Sequence, residues 1–161
     1  MSVTNDIAAT YRGPRAVIRR FLANGRREDQ ALIFVLMGGV MLFVSMMPYQ
    51  SRAAHFDPSV PLQARLYWSA FLCIFLLPFV LYIVAAVSHL VARGAGGAGS
   101  FFGARMALFW AFLAASPMWL FTGLLAGFNG PGAGLTIAAV VSFLVFVMIW
   151  ILCLVESETS Q

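Results

Sequence analysis

The sequence predicts an all-α, polytopic membrane protein: four transmembrane helices with a short N-terminal amphipathic helix. Three observations predict it. Four long apolar runs, residues 31–49, 66–91, 106–128 and 135–155, contain no Asp, Glu, Lys or Arg. Each approaches or exceeds the ~20 residues that a helix needs to cross a hydrocarbon core. Of 161 residues, 61% are hydrophobic and only 10% charged, with a mean hydropathy of +0.89. Soluble domains carry roughly 25% charged residues, so a water-soluble fold of this composition could not cover its own surface. The ten basic residues, all arginine, are also distributed unevenly between the ends of the runs.

That distribution orients the chain. Arg12, Arg15, Arg19, Arg20, Arg26 and Arg27 precede the first run, and Arg93 and Arg105 lie between the second and third. Arg52 and Arg65 flank the loop after the first run. With the N-terminus inside, four spans put eight arginines inside and two outside, which follows the positive-inside rule. Both termini are therefore expected in the cytoplasm. The absence of Lys beside abundant Ala and Gly reads as GC-rich codon usage, so the expected location is a bacterial inner membrane. The +4 net charge is read as topological, not as a nucleic-acid footprint.

Three regions follow: a basic cytoplasmic arm over residues 1–30, a four-helix transmembrane domain over residues 31–155 and a short cytoplasmic tail over residues 156–161. Within the arm, residues 1–11 read as disordered or loosely attached. Pro14 suits the first turn of a helix, where its missing N–H costs nothing. In "PRAVIRRFLA", Val17, Ile18, Phe21 and Leu22 share one face and Arg12, Arg15 and Arg19 line the other. Such a helix either lies in the headgroup plane, arginines toward anionic lipid, or docks on the ends of the spans; the amphipathic pattern favours the first.

The first span opens on Glu28 and Asp29, whose charge complements a helix N-terminus. Its run is too long for a signal-peptide core and follows a 30-residue polar arm, so it reads as an uncleaved anchor. An outer loop, "QSRAAHFDPSVPLQARLYW", ends in Tyr67 and Trp68, which suit the membrane interface. The inner loop "RGAGGAGS" lacks the lysine of a phosphate-binding loop and reads as a flexible linker. "NGPGAG" turns the last two spans into a hairpin.

Pro78 and Pro117 fall near the middle of consecutive antiparallel spans. Each removes a backbone hydrogen bond and is expected to bend its helix. Kinked helices at mid-depth build transport sites when polar groups gather there. Here only Ser116, Thr122 and Tyr82 are near, so the kinks read as packing devices, with Ser116 bonding a carbonyl that Pro117 frees. Ala107, Ala111, Ala115, Gly123 and Gly127 form a small-residue ridge, and Gly38 and Gly39 a notch, where another helix can approach closely.

His55 and His89 lie about 30 Å apart along a span and cannot share a metal. His89 alone could ligate a group supplied with a partner's ligand; the commoner role is an interfacial histidine facing headgroups or Arg93. Cys73 and Cys153 differ in depth by about 15 Å, too far for a disulfide. No nucleophile–base pair, metal spacing or dinucleotide fingerprint is visible, so no catalytic residue is assigned and the chain reads as non-enzymatic.

From His89 onward, "HLVARGAGGAGSFFGARMALFWAFLAASPMWL" resembles the short bacterial branch of the Yip1 family of polytopic membrane proteins. His89 at a span's end, the glycine-rich loop, Gly103–Ala104–Arg105 opening a span and Pro117 at its midpoint carry the resemblance. "YRGPRAVIRRFLANGRRED" is similar to that branch's basic arm. Family members commonly have five spans and this chain four. The resemblance implies a fold and a location and transfers no catalytic residue.

The expected role is an accessory or assembly subunit, or scaffold, of a larger inner-membrane complex such as a respiratory or photosynthetic assembly. Its partners would be membrane lipids and other membrane subunits or further copies of itself. No cofactor is predicted, although a lipid, quinone or pigment could come with a partner. The alternatives are a small transporter or lipid-handling protein using the kinked helices, and a membrane-shaping protein whose arm reads anionic lipid.

Overall fold

A computed structural model describes residues 2–159; Met1, Ser160 and Gln161, at the tips of the predicted arm and tail, lie outside them. The described residues are helical, without strands. In chain order the helices are α1 (Val3–Thr10), α2 (Pro14–Ala23), α3 (Glu28–Phe56), α4 (Leu62–Ala70), α5 (Leu77–Gly94), α6 (Phe101–Ala114), α7 (Ser116–Asn129) and α8 (Ala133–Thr159), with a π-helical segment, Phe71–Leu76, joining α4 to α5. Three helices, Glu28–Phe56, Leu62–Gly94 and Ala133–Thr159, are long and apolar enough to cross a membrane. The pair α6–α7, bent by 41°, makes a fourth crossing if taken as one span.

The two prolines act differently. At Pro117 the chain breaks: Met118 and Trp119 both donate to the Ala115 carbonyl, at 3.0 and 3.2 Å. At Pro78 the helix continues, and the missing donor is absorbed by the widened turn before it, where Leu77 N–H reaches back to the Leu72 carbonyl. The bend expected at Pro78 is thus replaced by a π-helical turn. A third proline, Pro48, sits inside α3, which continues to Phe56. Most of the predicted outer loop is therefore helix, and only residues 57–61 remain as the connection.

The core is built around α6, which lies against α2, α3, α5 and α8. From Phe102 to Ala114 every residue except Arg105 is buried. Helix α7 instead packs on α3 and α8, burying only Ser116, Gly123 and Ala126. The α3–α7 seam is close: a Cβ added at Gly123 would sit 1.8 Å from the Ser45 carbonyl oxygen, and one at Gly127 2.4 Å from Pro48 Cβ. In the notch of α3, Gly38 meets the Phe112 ring and Gly39 the Cys73 carbonyl of the π turn. These small residues therefore meet neighbours within the chain. Ala107, Ala111 and Ala115 are wholly buried.

The N-terminal segment corrects the sequence reading. Residues 3–10 form a helix, and Asp6 and Thr10 in it are buried. Val17, Ile18 and Phe21 of α2 are buried in the α6 core, not turned to lipid. They are covered because α6 has an open side that the spans leave uncovered. The predicted tail is corrected too: Glu156, Ser157 and Glu158 are buried in the last turns of α8.

Candidate functional site

Ionisable groups concentrate where α3 and α6 begin and α5 and α8 end. Eight of the ten arginines and five of the six carboxylates belong to the arm or to these helix ends. The arm is anchored along α6 through Trp110. Its indole N–H donates to Thr10 Oγ1 at 3.0 Å, and its ring lies between Phe21 at 4.7 Å and Phe34 at 4.9 Å. One residue on, the Tyr11 hydroxyl donates to the Ala114 carbonyl at 3.0 Å, at the α6–α7 break. A carbonyl at the break is thus met by Tyr11 of the arm, where the sequence pointed to Ser116. Partial burial raises the Tyr11 phenol above its ordinary range, so it remains a donor.

Four of the eight arginines read as headgroup contacts are paired with carboxylates within the chain. Arg19 Nη2 lies 2.6 Å from Glu156 Oε1, and Arg20 Nη2 2.5 Å from Asp6 Oδ1. Arg27 pairs with Asp29 at 3.0 Å, and Arg105 with Glu28. For the first two pairs the cause is local: Asp6 and Glu156 are largely buried, and a buried carboxylate requires a cation or donors beside it. No carboxylate pairs with Arg12, Arg15, Arg26 or Arg93 among the described residues.

His89 is the sharpest correction. It is 1% exposed, and its Nδ1 lies 2.7 Å from Glu158 Oε1. It faces neither headgroups nor Arg93. The other oxygen of Glu158 accepts from Gly99 N–H at 3.0 Å, and the Glu158 carbonyl accepts from Ala98 N–H at 3.2 Å. The glycine loop is therefore pinned to the end of α8. At Gly99 a Cβ would sit 2.7 Å from both Glu158 Oε2 and the Ser157 carbonyl oxygen, so the approach needs glycine. The carboxylate fixes the imidazole orientation, with Phe101 against its other surroundings at 4.3 Å. No group of three metal-binding side chains occurs among the described residues. The two cysteines are free, buried thiols.

At the opposite end, Arg52 donates to the Phe128 carbonyl at 3.1 Å and faces that of Gly127 at 3.4 Å, closing the end of α7. Arg65 holds Asp57 at 3.0 Å, and Ser59 donates to the same carboxylate. The Ser59 hydroxyl and amide, then Arg65, hold the Asp57 carboxyl below its ordinary value.

Beside α7, a lateral groove of 320 Å³ is lined by Leu42, Ser45, Met46, Trp119, Thr122 and Leu135 among others. Its polar groups are engaged: Thr122 Oγ1 lies 2.7 Å from Ser142 Oγ, and Ser45 donates to the Leu42 carbonyl at 2.6 Å. Tyr82 packs edge-on against Phe109 at 4.8 Å, and Ser116 is buried at the break. Ser116, Thr122 and Tyr82 therefore form no shared polar cluster.

Two larger openings lie elsewhere on the molecule. A cleft of 440 Å³ between α5 and α8 is lined by Ile83, Val84, Val87, Ser88, Trp150 and Ile151 among others. The buried indole nitrogen of Trp150 has no hydrogen-bond partner. A cavity of 520 Å³ opens between the end of α2, the turn before α3 and the start of α6, lined by Arg19, Leu22, Ala23, Arg26, Ser100 and Phe102 among others. In comparisons with known proteins, no family model, curated protein or solved structure matches the chain.

Proposed function

We propose that this protein is a non-enzymatic accessory or assembly subunit of a larger complex in the bacterial inner membrane, with both termini in the cytoplasm. Kinship with the bacterial Yip1 branch belongs to the same proposal. The observation that carries it is the α5–α8 cleft. Both helices lie against α6, and between them the wall is apolar along its length. Ser88 and Ala92, one small-xxx-small step apart on α5, lie in that wall. Such a step lets a second helix approach where lipid gives no hydrophobic drive. The occupant is therefore a membrane helix of a partner subunit.

The transporter reading draws less support, because Thr122, Ser142 and Ser45 are bonded to one another or to backbone. The lipid reading draws support from the arginine-lined cavity beside α2.

Native mass spectrometry of the protein in membrane-derived nanodiscs tests the leading reading. A stoichiometric membrane subunit is expected to accompany the chain, to be lost on Val87→Trp in the cleft and to be retained on Ile137→Trp, which is 65% exposed elsewhere on α8. A chain that always runs alone, or a complex indifferent to Val87→Trp, overturns it.

A further inference from the structure

We propose that the cavity between α2 and the start of α6 is a binding site for the phosphate group of an anionic phospholipid. Its 520 Å³ lies within the range of small-ligand sites, roughly 300–1,000 Å³. Two guanidinium groups line it, Arg19 and Arg26. Arg19 is partly committed, since its Nε and Nη2 both contact Glu156 Oε1. Arg26 is exposed and has no carboxylate partner among the described residues. The cavity therefore carries one uncompensated positive charge, and arginine's planar donor fork matches phosphate oxygens.

The remaining wall identifies the source of that phosphate. Leu22, Ala23 and Phe102 give the cavity an apolar side next to its charged one. Arg26 lies two residues before α3, and Phe102 lies in the first turn of α6, so the cavity sits where apolar helices enter the membrane. A headgroup phosphate with its glycerol and the start of its acyl chains presents the same order, charged and then apolar. A free phosphate would leave the apolar wall unused. This site does not rest on the partner-helix reading, whose cleft lies between other helices.

The test uses the full chain, delipidated and then reconstituted, and measures lipid binding by native mass spectrometry. Phosphatidylglycerol is expected to bind at one molecule per chain and phosphatidylcholine more weakly. Arg26→Gln is expected to weaken phosphatidylglycerol about fivefold or more, the scale of one arginine at a membrane surface. Ala23→Trp, which fills the cavity and keeps every charge, is expected to weaken it similarly. Arg12→Gln, outside the cavity, is expected to leave it unchanged. Thermal unfolding of each variant checks that the fold survives. Equal losses from Arg12→Gln and Arg26→Gln would show diffuse electrostatics and overturn the site. So would indifference to Ala23→Trp, or displacement of the lipid by millimolar inorganic phosphate.

Discussion

Helices α6 and α7 derive from one apolar run and have opposite surroundings. In α6 every residue from Phe102 to Ala114 except Arg105 is buried, and Trp110 is 0% exposed. In α7, Phe128 is 78% and Phe121 56% exposed. Apolar patterning does not separate them, since both are predominantly apolar with no polar face that marks one side as exposed. What separates them is what lies outside. The arm, through Thr10, Ile18 and Phe21, closes the side of α6 that the spans leave open, whereas no such segment covers α7. The break at Pro117 lets one run serve first as core and then as surface.

The largest effect that would break this comparison is at Trp110. Trp110→Ala is expected to cost about 3–5 kcal/mol, as for large core truncations, in unfolding titrations from mixed micelles. Phe128→Ala is expected to stay within about 0.5 kcal/mol, as for a surface change. Equal losses would erase the distinction between the two helices.

Next comes the close α3–α7 seam. Gly123→Ala forces a Cβ into the Ser45 backbone, and overpacking of this kind costs about 1–3 kcal/mol. Gly94→Ala, where a Cβ meets nothing, provides the neutral comparison in the same titration. A smaller effect is expected at the break. Tyr11→Phe removes the hydroxyl that reaches Ala114 and should cost about 1 kcal/mol, with faster amide exchange confined to the segment around residues 114–119.

The smallest effect lies far from the arm. Asp57 is exposed and its carboxyl is held below the ordinary 3.8. A lowered folded value means that its stabilisation is present above 3.8 and is lost as pH falls through the lowered value. NMR titration should place the Asp57 midpoint below 3.8, and Ser59→Ala, removing the hydroxyl donor, should raise it.

The sequence marked the long apolar helices clearly, because absence of charge over about twenty residues is itself what a crossing requires. The surroundings of each span were less legible. In water, a polar–apolar period reports which face is buried; in a membrane, lipid-facing and core-facing surfaces are both apolar, so the period is silent. Helices α6 and α8 illustrate this: one is a buried centre, the other largely exposed. The better signal was the density of alanine in α6, at Ala104, Ala107, Ala111 and Ala114, since small residues permit close neighbours on several sides.

The arm misled for a related reason. Val17, Ile18 and Phe21 form an apolar stripe that either lipid or protein can cover, and the arginine face looked free. Its carboxylate partners stand far away in sequence: Arg19 and Glu156 are 137 residues apart. His89 and Glu158, separated by 69 residues, could be paired only once the antiparallel helices were in register. Pro117 was legible as a bend, but nothing local identified Tyr11 as the group that meets the chain there.

The measurement that tests the arm's role most directly is quenching of Trp110 fluorescence by brominated acyl chains. A variant retaining Trp110 alone, with the other three tryptophans replaced by phenylalanine, is reconstituted in brominated-lipid bilayers. If the arm walls α6, emission is expected to be almost unquenched, while a variant retaining only Trp68, 66% exposed, is strongly quenched. Quenching of Trp110 as strong as that of Trp68 would show that lipid, not the arm, covers this helix, and would contradict the account.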